Sequence, residues 1–163
     1  MTKGAVIAAF QAEVGAQLEA VARVTADARG EATGSESKAE GKYDTRATEA
    51  SYLAAGQGRR LAALRQLAAW LDQLEHSEDS GASHAVQVGS LVLLTGAGGA
   101  DGVERWVLVG PVGGPSVEVH GTTVQLVSLA SPLGASLEDA EAGDELELES
   151  PRGWATRTVA RLL

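Results

Sequence analysis

Glu31, Glu36, Glu40, Asp44 and Glu49 fall in and just after a stretch of small, polar and charged residues between two apolar-periodic runs. Carboxylates held this way could do one kind of chemistry. Mg²⁺ prefers hard oxygen ligands and often takes only one or two carboxylates from a protein. Cleaving a phosphodiester with two metals needs a second ion and an activated water. One or two carboxylates on a long rigid arm could complete such a site where another macromolecule already holds the first ion. The arm would carry no complete active site of its own, so alone it should be inert. The plainer alternative for the same acids is a solvated loop with helix-capping side chains, Asp44 or Thr45 capping the helix that follows.

Other chemistries find little support. The chain has 163 residues and no cysteine, which excludes disulfides and thiolate zinc sites and suits a reducing cytoplasm. His76, His84 and His120 are scattered, with no two at ligand spacing on one predicted element. Met1-Thr2-Lys3-Gly4 does not open a targeting signal, and no segment is expected to approach the roughly 20 apolar residues of a membrane span. A soluble cytoplasmic protein is the expectation. The net charge is −9: residues 1–80 carry 9 basic and 12 acidic side chains, residues 81–163 carry 4 and 10. Direct nucleic-acid binding needs a basic surface, which the second half cannot offer, so the expected partner is a protein.

Two segments must position the carboxylates. Ile7, Phe10, Val14, Gln17, Val21, Val24 and Ala28 step by three and four, a heptad seam with Leu18 beside it. Gly30 offers a stop. Residues 30–45 read as a loop. Over residues 46–77 the rhythm returns, with Leu53, Leu61, Leu64, Leu67, Leu71 and Leu74 on one stripe and Trp70 beside it. Gly56 and Gly58 weaken that helix by roughly 1 kcal/mol each against alanine. Two helices of this length with matching seams predict an antiparallel coiled-coil hairpin about 40 Å long. The seams are core and do no chemistry.

After a linker the period becomes two. Val86 to Leu94, Glu104 to Val109, Val117 to His120, Val124 to Leu129, Glu145 to Glu149 and Trp154 to Leu162 read as strands, with a hairpin turn at Ser150-Pro151-Arg152-Gly153. One short helix, near Leu133 to Glu141, interrupts them. The fold class is α+β: an N-terminal antiparallel two-helix hairpin, then a domain built on an antiparallel sheet. The divisions are residues 1–77 for the arm, with an acidic tip at 30–49, 78–85 for the linker, and 86–163 for the sheet domain.

The strand end Val127-Ser128-Leu129-Ala130, the turn Ser131-Pro132-Leu133-Gly134, then Gly143-Asp144 and Pro151-Arg152-Gly153 stand in an order and spacing that resembles the C-terminal domain of Gre-type bacterial transcription elongation factors. Helical hairpin, linker and sheet domain follow that family's layout along the whole chain. The resemblance implies an FKBP-like C-terminal domain that docks at the rim of the RNA polymerase secondary channel, with Ser131, Pro132, Leu133 and Gly134 as the contact. It implies a hairpin that places acidic tip residues beside the polymerase active site, where Mg²⁺ held mainly by the polymerase would be shared. On that basis Asp44 ranks first, Glu49 second and Glu40 third, and Asp44 and Glu49 are the expected metal contacts. It also implies a basic patch facing nascent RNA, here Arg59, Arg60 and Arg65 with Arg23 and Arg29. The implied protein is an auxiliary factor, not an enzyme, monomeric, acting through the polymerase on backtracked RNA.

This chain departs from the family pattern in two places. Gre-type factors carry an Asp and a Glu three apart at the tip, whereas Asp44 and Glu49 are five apart, and Thr48 and Ser51 stand where the family has acids. Ala130 replaces the acid that some members carry before the Ser-Pro. The altered tip keeps a second function open, a factor that enters the same channel and inhibits or tunes transcription without promoting cleavage. A prolyl isomerase would need an apolar pocket rich in aromatics, and residues 81–163 hold only Trp106 and Trp154. A plain oligomerising coiled coil would not need the 16-residue tip at 30–45.

Overall fold

The computed structural model describes residues 1–33, 45–76, 84–96, 104–150 and 153–163. Two long helices come first, α1 over Lys3–Thr33 and α2 over Thr45–His76. The helix continues through Gly30 for three more residues, so the expected stop there is corrected. A glycine costs about 1 kcal/mol inside a helix, less than a turn of backbone hydrogen bonds returns.

The sheet domain has six strands: β1 Leu91–Gly96, β2 Arg105–Gly110, β3 Ser116–Val119, β4 Thr122–Ser128, β5 Glu145–Ser150 and β6 Gly153–Leu162. One short helix, α3 over Pro132–Leu137, lies between β4 and β5. The strand order is β3-β4-β2-β1-β6-β5. The expected α+β architecture is therefore present: helix pair, then sheet with a single short helix.

The sheet is mixed, where the sequence predicts an antiparallel one. β2 and β4 run parallel, Trp106 beside Val124 and Gly110 beside Ser128. The cause is local. After β2 the chain passes beyond the place that β4 will take, and residues 114–115 bond back to Leu126, Gly114 N donating at 3.2 Å and Pro115 O accepting at 3.2 Å. β3 then returns along the edge and turns through His120 and Gly121, both at positive φ (52° and 76°), into β4. Two left-handed residues make the type of tight turn that matches strand twist. Two reversals bring β4 back in the direction of β2. Gly110 permits the crowding, since an added Cβ there would sit 2.9 Å from Leu126 Cδ1.

Two element boundaries also differ from expectation. The strand predicted from Val86 begins only at Leu91, because Gly89 takes φ +101° and residues 87–90 close a turn, Ser90 N donating to Gln87 O. The helix predicted to reach Glu141 ends at Leu137, because Glu138 leaves helical backbone at ψ 128° and Asp139 follows at φ +59°.

Alternation gives the sheet two faces. On the first, Val92, Leu94, Val107, Val109, Val127 and Val159 pack with Val86, Leu137 and Ala140. On the second, Leu91, Trp106, Leu108, Val124 and Leu126 are buried as well. The chain groups into two compact units: Met1–Gln11 with Leu71–Leu163, and Ala12–Trp70. The first unit thus contains both helix bases as well as the sheet. Val6, Ile7, Phe10 and Leu71 are buried there, and an added Cβ at Gly89 would lie 3.1 Å from Leu74 Cδ1.

By length and composition alone, one helix segment, Lys3–Val24, could cross a membrane, which corrects the expectation that none comes near. Of its apolar side chains Val6, Ile7, Phe10 and Val14 are buried, Leu18 and Val21 half-buried and Val24 exposed.

Candidate functional site

The turn after β4 is held by a dense set of local hydrogen bonds. Ser131 caps α3 with extended backbone (φ −84°, ψ 157°). Its hydroxyl accepts from Gly134 N at 3.1 Å and donates to Ser128 O at 2.7 Å. Ser131 N donates to the same carbonyl at 3.0 Å, and Ala135 N to Ser131 O at 2.8 Å. Pro132 follows in the first helical position, where its missing N–H costs nothing and its fixed φ suits the helix. Ser136 Oγ donates to Pro132 O. With only six residues, α3 could not stand alone; these bonds and the burial of Leu137 hold it.

Gly134 decides how close α3 comes to the strand end. A Cβ there would lie 1.9 Å from Ser128 O and 2.7 Å from Leu129 Cα, inside both atoms. The helix therefore lies directly on the backbone it has just left. Leu129 and Leu133 are half-buried against the first-face core. Outward, the turn presents Ala130, Pro132 and Ala135, all exposed. The result is a small apolar knob with its backbone fixed on three sides. Glu138, Asp139, Glu141 and Asp144 are exposed beyond it, Asp144 Oδ2 accepting from Glu141 N at 2.8 Å.

The four residues predicted to contact a partner thus play different parts. Pro132 is open to solvent; Ser131 and Leu133 are half-buried, the first engaged as a cap and the second against the core; Gly134 is buried and shapes the turn through its lack of a side chain. Ala130, noted in the sequence only as replacing an acid, and Ala135, not singled out there, share the exposed knob. Ala135 could have been found there, since it follows Pro132 by one helical turn.

The helix pair is antiparallel. In the first unit Gln11 Nε2 donates to Asp72 Oδ1 at 3.1 Å. In the second, Gln17, Ala20, Val21 and Val24 of α1 line a cleft of about 250 Å³ with Gln57 and Arg60 of α2. Val14, Leu64 and Leu67 are buried in that unit, while Val24, predicted on the same seam, is 52% exposed. Glu40 and Asp44 lie outside the described residues, as does Glu36. Glu49 falls early in α2 and Glu31 late in α1, with their side chains outside the described part. Arg23, Arg59, Arg60 and Arg65 are exposed. At about 100° per residue, α2 spreads Arg59, Arg60 and Arg65 around its circumference instead of lining them on one face. Among the described residues no group of three or more His, Asp or Glu could hold a metal ion.

No family model matches the chain, and no curated protein is similar enough to count as a relative. Among solved structures, the GreA factor homolog 1 (Gfh1) of Thermus thermophilus is 21% identical, with 94% of each chain covered and a TM-score of 0.37. Gfh1 of Thermus aquaticus is 23% identical over 92% of this chain and 91% of that one, TM-score 0.39. A prokaryotic transcription elongation factor GreA/GreB from Nitrosomonas europaea is 22% identical over 56% of this chain and 78% of that one, TM-score 0.38.

Proposed function

We propose that this chain is a Gre-like auxiliary factor of RNA polymerase. It docks at the secondary-channel rim through the Ala130–Ala135 knob and extends the α1–α2 tip toward the polymerase active site. The observation that carries this is the knob: a Ser131-capped, Gly134-enforced turn that presents Pro132 rigidly, in the sequence context resembling Gre-type factors. A rigid contact loses little conformational entropy on binding, so a small patch can suffice for docking.

In this reading Asp44, then Glu49 and Glu40, extend carboxylate oxygens to a Mg²⁺ held mainly by the polymerase. A factor that lends one or two carboxylates needs no metal cluster of its own. The ion, when bound, supplies Lewis-acid and water-activating chemistry. The chain's own residues supply the carboxylates, and the knob supplies the contact with the polymerase. The factor is not itself an enzyme, and it works as a cytoplasmic monomer. The five-residue separation of Asp44 and Glu49 favours a second possibility, a channel binder that inhibits or modulates transcription without promoting cleavage.

The test is RNA cleavage in a stalled, backtracked elongation complex with Mg²⁺, comparing the protein with its Asp44→Ala and Glu49→Ala variants. Faster cleavage that both variants weaken is the expected result. Binding without acceleration selects the modulator. Failure to bind the polymerase overturns both.

A further inference from the structure

One part of the sheet surface is open and is not used by the proposed polymerase contacts. Trp154, on β6, is 71% exposed, the most exposed of the large apolar side chains among the described residues. Across the β5–β6 pair, Glu149 stands opposite Trp154, Glu147 opposite Thr156 and Glu145 opposite Thr158. Paired residues share a face, so Trp154, Thr156, Thr158, Glu145 and Glu147 lie together on the second face. Leu146 and Leu148 point the other way, into the core.

β5 is the last strand of the sheet, with no neighbour on its outer side among the described residues. Its hydrogen-bond phase follows from one contact. Val159 N donates to Asp144 O at 2.9 Å. This makes Glu145–Thr158 a pair without mutual bonds, so the N–H and C=O of Glu145 and Glu147 point outward, away from β6. The edge therefore offers backbone donors and acceptors, with exposed carboxylates at alternate positions and an indole one strand further in.

We propose that the β5 edge and the Trp154 face bind an extended cationic segment of another protein, added as a seventh strand. The charge pattern selects the occupant. A second copy pairing edge to edge would set Glu145 and Glu147 against their equivalents, and like charges across a pair are destabilising. A strand with Lys or Arg at every second position instead meets each glutamate at cross-strand distance. Strands lie about 4.8 Å apart, so the indole is within reach of a long cationic side chain, which can rest on its face. Backbone pairing gives the affinity and alternate side chains the selectivity, as in other strand additions. This proposal does not depend on the transcription reading.

The probe is a short blocked peptide of alternating Thr and Lys, added to the isotope-labelled full chain. Expected results are slowed amide exchange at Glu145 and Glu147, and affinity reduced at least about ten-fold in Glu145→Lys/Glu147→Lys. Trp154→Ala should weaken binding a few-fold with the amide spectrum otherwise unchanged. An alternating Thr–Glu peptide should not bind. Four results would overturn the proposal: no binding at millimolar peptide; binding that leaves both β5 amides unaltered, as diffuse attraction to an acidic chain would; equal binding of the acidic peptide; or a dimer of the free protein that Trp154→Ala dissolves, which would give the face to a second copy.

Discussion

At position 134 the backbone has room for a hydrogen and nothing larger. Ser128 O lies 1.9 Å from where a Cβ would stand, and that oxygen already accepts from Ser131 N and Oγ. Gly134→Ala must push α3 off the strand and break this cluster. Forced overpacking costs about 1–3 kcal/mol, more when backbone must move, so the midpoint of thermal unfolding should fall by roughly 2–12 °C. Ser131→Ala removes the cap and the hydroxyl's bond to Ser128 O, leaves the backbone in place, and should cost about 1 kcal/mol. Calorimetry on both variants checks the order; an alanine tolerated at 134 without loss would contradict the packing. The cap itself was legible in the sequence, because Ser followed by Pro is a helix-start signal whose mechanism is local. The requirement at 134 was not, since it arises from a carbonyl six residues back meeting the helix in space. The tip acids remain a matter of sequence and resemblance alone: Asp44 and Glu40 lie outside the described residues.

At the level of elements, periodicity located both helices and the six strands, and it failed where a single backbone angle decided. Gly89 at φ +101° cut the first strand short, and Glu138 at ψ 128° ended α3 early. The parallel β2–β4 pair was invisible to alternation, which reports the faces of a strand but not its neighbour. The helix seams show a related limit. Leu67 and Val24 satisfy the same three-four spacing, yet Leu67 is 3% exposed and Val24 is 52% exposed beside the cleft. Heptad spacing fixes direction around a helix; it does not guarantee a partner large enough to close the gap. Leu67→Ala should therefore cost about 2–5 kcal/mol and Val24→Ala less than about 0.5 kcal/mol. Urea titrations followed by helical circular dichroism test the contrast, and equal losses would contradict the difference in burial.

For the whole molecule, the division by compactness cuts across both long helices. Met1–Gln11 and the residues from Leu71 onward belong with the sheet. The second face offers a physical account of this grouping. Leu91, Leu108 and Val124 are fully buried and Trp106 and Leu126 nearly so, although α3 and its cluster occupy only the first face. Among the described residues of this unit the helix bases contribute the buried side chains Val6, Ile7, Phe10 and Leu71, with Leu74 against Gly89, and we predict that these cover the second face. Each fully buried side chain of this size is worth about 1.5–3 kcal/mol against exposure. On that expectation a fragment of residues 86–163 would leave Leu91, Trp106, Leu108, Val124 and Leu126 facing water. It should melt at lower temperature and less cooperatively than the full chain, and bind a hydrophobic dye that the full chain excludes. Amide shifts for Leu91, Trp106, Leu108 and Leu126 should move most, because those residues lose their cover, while Val92, Val107 and Val127 on the first face keep theirs. A fragment whose spectrum matched the full chain at all of these positions would mean that the sheet domain closes its own core, and that the helix bases contribute to reach alone.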